Sequence, residues 1–77
     1  MSIYDEVIEV SEPFLGRQTE QFVRRQCESH LHIAPQKLTK EHLQRLSYWM
    51  MISATLVISQ DQADELERKI LALEKNA

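Results

Sequence analysis

The sequence predicts an all-α fold: a small irregular bundle of four helices, the first one short and the third one central. Three observations predict it. Apolar residues recur at intervals of three and four in successive stretches of the chain. Ser2, Thr39 and Ser59 stand where helix N-caps are needed. One Gly and two Pro among 77 residues argue against a loop-rich or disordered chain.

Ile3, Val7, Val10 and Phe14 are spaced i, i+4, i+7, i+11 and make one helical stripe, from which Asp5, Glu6 and Glu9 fall away. Pro13 disfavours helical geometry at Glu12, so this helix is expected to stop near Ser11 or Glu12. For the segment 3–10 a strand centred on residues 6–10 remains an alternative, but it has no second strand to pair with.

The second helix is expected to begin between Pro13 and Gly16, with Pro13 in its first turn. Leu15, Thr19, Phe22, Val23, Gln26 and His30 share a face, with Arg17, Arg24 and Glu28 opposite. It should fray near Leu31 or His32, ahead of a linker over 33–38.

Thr39 caps the third helix, expected to run to about Ile58. Leu43, Leu46, Met50, Ser53, Ala54 and Val57 form one apolar face. Tyr48, Trp49, Ile52 and Leu56 form a second, on roughly the opposite side at 100° per residue, with Arg45 at its start. A helix apolar on two sides must be covered on two sides, either by the first helix or by a partner.

Ser59 and Gln62 match a capping box for the fourth helix, expected to reach about Glu74, with Ala63, Leu66, Ile70 and Leu73 as its core stripe. No repeat or boundary divides residues 1–77, so a single all-helical domain is expected. Chains this short bury only about 60% of their unfolded surface, and oligomerisation is a common remedy.

Composition narrows the function classes. The formal charge of −3 weighs against a nucleic-acid binder and against attraction to anionic lipid. The longest apolar run, residues 47–58, is too short for a transmembrane helix, which needs about 20 residues. The acidic start of the chain lacks the positive region of a secretory signal. With one cysteine, Cys27, the cytoplasm is the expected compartment.

Cys27, His30, His32 and His42 are metal-ligand types in the pattern C-x2-H-x-H-x9-H, so Cys27, His30 and His32 are candidate metal ligands. The spacing fits no standard structural zinc pattern. A buried thiol and helix-terminal or surface histidines explain the same residues, so no cofactor is assigned. Cys27 and His30 could pair as nucleophile and base, but no Gly-rich turn supplies an oxyanion hole, and no enzymatic activity is assigned. Arg17, Arg24 and Arg25, with Lys37 and Lys40, form a modest basic patch. The third and fourth helices do not read as a helix-turn-helix, because the turn lacks glycine and the fourth helix opens with Asp61, Asp64 and Glu65, which repel phosphate, so a nucleic-acid interface through the second helix ranks below a protein partner. Asp5, Glu6, Glu9 and Glu12 read as a solvated acidic face.

The section from Phe22-Val23-Arg24-Arg25-Gln26-Cys27 to Leu38-Thr39-Lys40-Glu41-His42-Leu43 resembles short helical proteins of bacteria. That implies a small bacterial protein and carries no functional residue over. The expected function is therefore a non-catalytic protein–protein interaction or regulatory module. Tyr48, Trp49, Ile52 and Leu56 are its anchors, Arg17, Arg24 and Arg25 orient an acidic partner, and a homodimer is its simplest form. The alternatives are a Cys/His metal-binding protein and a weak nucleic-acid binder.

Overall fold

The computed structural model describes residues 2–75. Every regular element among them is helical, and none is a strand, so the segment 3–10 is helix. In place of four regular helices, the described residues form three α-helices of 12 or 13 residues and one mixed helical segment.

Helix α1 spans Ile3–Leu15, longer than Pro13 suggested. Ser2 caps it: its hydroxyl accepts from Asp5 N–H at 3.1 Å, and the Asp5 carboxylate accepts from Ser2 N–H at 3.4 Å. Pro13 lies in the last turn, where the absent N–H removes a single bond, and Phe14 and Leu15 still reach the core. The stop is Gly16, at φ 65° and ψ −137°, whose N–H donates to the Glu12 carbonyl. The second helix therefore does not start at Pro13. A 3-10 turn at Gly16–Gln18 leads into α2, Thr19–Gln26.

From Cys27 to Leu31 the α2 path widens into a π turn. The Cys27 carbonyl accepts from His32 N–H and, at 3.2 Å, from Ile33 N–H. His32 closes the segment in the left-handed region at φ 56°, so the helix ends where the sequence predicts. Within the linker, a 3-10 turn at Pro35–Lys37 buries Pro35, and Leu38 is buried after it.

A 3-10 turn at Lys40–His42 precedes α3, Leu43–Ala54. Thr39 N–H donates to Nδ1 of His42 at 3.1 Å, so His42 occupies the role that Glu or Gln plays in a capping box. Helix α3 stops at Ala54 rather than Ile58. Leu56 N–H donates to the Ser53 carbonyl, and the N–H groups of Val57 and Ile58 both donate to the Ala54 carbonyl, closing a turn. Thr55, Val57 and Ile58 are β-branched, which weakens helix continuation there. Helix α4 spans Gln60–Ala72 with the expected capping box: Gln62 N–H donates to Ser59 Oγ at 3.2 Å, and Ser59 N–H to Gln62 Oε1 at 3.4 Å. It tightens into a 3-10 turn at Leu73–Lys75.

Leu43, Leu46, Met50 and Ala54 of α3 meet Ala63, Leu66 and Ile70 of α4, all fully buried, and Val7, Val23 and Cys27 complete the core. The radius of gyration is 11.0 Å, against about 11.5 Å for a compact chain of this length. One chain therefore closes its own core. Helix α3 packs most extensively on α4 and also meets the π turn and α2, while α1 packs chiefly on α4 and α2.

Candidate functional site

The second apolar stripe of α3 is largely open to solvent. Tyr48 is 50% exposed, Ile52 38%, Leu56 87% and Val57 61%. Val57, expected in the core stripe, is exposed because α3 ends before reaching it. Leu56 and Val57 stand exposed in the turn after Ala54, as the lip of a groove.

Trp49 departs from its stripe neighbours. It is half-buried, and the imidazole of His30 lies flat on its indole, with ring centroids 4.1 Å apart and planes 4° from parallel. Tyr48 meets the same indole edge-on at 5.5 Å and 74°. The π turn sets His30 at this place, so the end of the mixed segment supplies the cover that α1 does not.

Beside the stripe lies a groove of about 420 Å³ between the mixed segment and the end of α3. Phe22, Arg25 and His30 line one side, and Leu56 and Val57 the other. At its floor the Ser53 hydroxyl donates to Gln26 Oε1 at 3.2 Å, tying α3 to α2. The sequence did carry a signal for this contact. Gln26 and Ser53 are polar residues on the faces that the two helices turn inward, and polar groups at a helix–helix seam need partners.

The three arginines do not act together. Arg25 lines the groove. Arg24 lies by Tyr4 of α1, whose hydroxyl donates to the Glu20 carbonyl at 3.5 Å. Burial, followed by the Glu20 carboxylate, pushes that hydroxyl up, against the pull of Arg24. Arg17 is exposed on the turn between α1 and α2.

Nor do the candidate metal ligands converge. Cys27 is fully buried in the core, His30 is stacked on Trp49, His32 is exposed, and His42 serves the cap of α3. Among the described residues no three His, Cys, Asp or Glu side chains gather at a point that could hold a metal ion. Burial, and secondarily the Glu28 carboxylate, raises the Cys27 thiol to about 11, the opposite of what a nucleophile or a ligand needs. No helix among the described residues is long and apolar enough to cross a membrane. Comparison with protein-family models, curated proteins and solved structures returns no match.

Proposed function

We propose that this chain is a small protein–protein interaction or regulatory module that works by docking and not by catalysis. Its docking surface is the outward stripe of α3, Tyr48, Ile52 and Leu56, continued by Val57 and the groove beside them. The observation that carries the reading is the exposure of four large apolar side chains, on α3 and in the turn after it, in a chain that has already closed its own core. Contiguous apolar surface of this kind on a folded protein marks contact sites. The His30–Trp49–Tyr48 ring cluster stiffens one end of the surface, and rigid aromatic anchors concentrate binding energy. Arg25 is the arginine placed to orient an acidic partner there. A lone buried thiol suits action in a reducing compartment such as the cytoplasm.

Site-specific photocrosslinking in the producing cell tests the reading. A benzophenone amino acid replacing Leu56 should give a discrete protein adduct, and the same group replacing the exposed Lys69 should not. Absence of an adduct from position 56, or equal labelling from both positions, overturns it.

A further inference from the structure

Among the described residues lining the groove, Arg25 is the one permanent charge, and no carboxylate accompanies it. That contrasts with the chain as a whole, which has 12 Asp and Glu against 9 Lys and Arg. The rest of the lining is amide and hydroxyl, together with Phe22, Leu56, Val57 and the His30 imidazole. A segment that fills this groove must bring aliphatic side chains to Phe22 and a carboxylate to Arg25, because a guanidinium covered without an anion is costly.

The chain itself displays such a segment at the groove's own lip. Leu56 and Val57 project from the turn after α3, and Asp61, exposed in the first turn of α4, follows four residues later. Building on the docking reading above, we propose that the occupant is a second copy of this chain. In a two-fold pair, the Leu56–Val57 lip of each copy enters the groove of the other, and the Asp61 carboxylate of each meets the other's Arg25. A projection and a groove side by side on one surface suit this arrangement, because a two-fold axis exchanges both contacts at once and closes the assembly. A stable interface takes about 800 Å² from each partner. That is about one-sixth of the 5039 Å² surface of the chain.

Sedimentation equilibrium of the full chain tests the proposal, with circular dichroism to confirm that each variant is folded. The wild type should sediment at twice the chain mass at concentrations on the order of tens of micromolar. Leu56→Asp, Arg25→Asp and Asp61→Arg should each weaken the pair by about tenfold or more. Mixing the Arg25→Asp and Asp61→Arg chains should restore dimers, because both exchanged contacts then join opposite charges. A wild type that stays monomeric at hundreds of micromolar overturns self-docking, as does a dimer indifferent to Leu56→Asp and to the charge exchange. The docking reading fails separately: a crosslink from position 56 to a different protein keeps that reading and removes this one.

Discussion

The imidazole of His30 and the indole of Trp49 lie face to face, 4.1 Å between centroids and 4° from parallel, across the seam between the π turn and α3. The contact joins a residue that sequence reading offers as a metal ligand to one that it offers as an interface anchor. Each ring covers a face of the other, so His30 acts as a packing residue and Trp49 keeps only part of its surface for a partner.

Removing that cover should be measurable. His30→Ala should lower stability by about 1 kcal/mol, the worth of an aromatic pair beyond its area. His30→Phe should recover most of it. Urea unfolding followed by Trp49 fluorescence reads both, and the folded-state emission of His30→Ala should shift to the red. Unchanged emission and midpoint would show that the stack contributes nothing.

The Cys27 thiol is raised from its ordinary 9.0 to about 11 because it is buried in the core and has Glu28 nearby. The folded state therefore holds its proton at pH values where the unfolded state has lost it. Between about 9 and 11 the unfolded chain binds fewer protons than the native one, so stability falls as pH rises. The contribution is fully present below pH 9. Denaturant midpoints measured from pH 8 to 11 should decline for the wild type and decline less for Cys27→Ala. Alkylation of the native thiol should proceed no faster than local opening exposes it.

Ser11 is fully buried on α1, and its hydroxyl has no hydrogen-bond partner among the described residues. An unmatched buried hydroxyl costs free energy, and Ala is the better helix former. Ser11→Ala should raise stability by about 1 kcal/mol in thermal or urea unfolding. A loss of similar size would show that the hydroxyl is satisfied in solution.

Gly16 adopts φ 65° and ψ −137°, a backbone state that side chains rarely reach, although nothing lies within 4 Å of where a Cβ would stand. The penalty of Gly16→Ala is therefore backbone strain without a clash, about 1–3 kcal/mol. A neutral Gly16→Ala in the same unfolding assay would mean that the α1–α2 junction has another conformation within reach.

The all-helical class, the caps at Ser2 and Ser59 and the stripe Leu43, Leu46, Met50, Ala54 with Ala63, Leu66, Ile70 were legible in the sequence. These are local properties: a cap needs a hydroxyl three residues from an open N–H, and a stripe needs only the helical period. The π turn was not legible, because its bond from His32 to Cys27 competes closely with the α pattern and packing decides between them. The end of α1 was misplaced because one missing bond at Pro13 is outweighed by the packing of Phe14 and Leu15.

By itself, then, the sequence determined that the chain is helical and most of the stripe by which α3 and α4 bury each other. It also determined that α3 is apolar on two sides. Which side is covered was a question for the tertiary structure alone. Amphipathic periodicity fixes the angle at which a residue leaves its own helix and says nothing of which helix arrives there. The backbone state at Gly16 and the packing of α1 on α2 and α4 decided that. The result leaves Tyr48, Ile52, Leu56 and Val57 facing outward, beside a groove whose one permanent charge is Arg25.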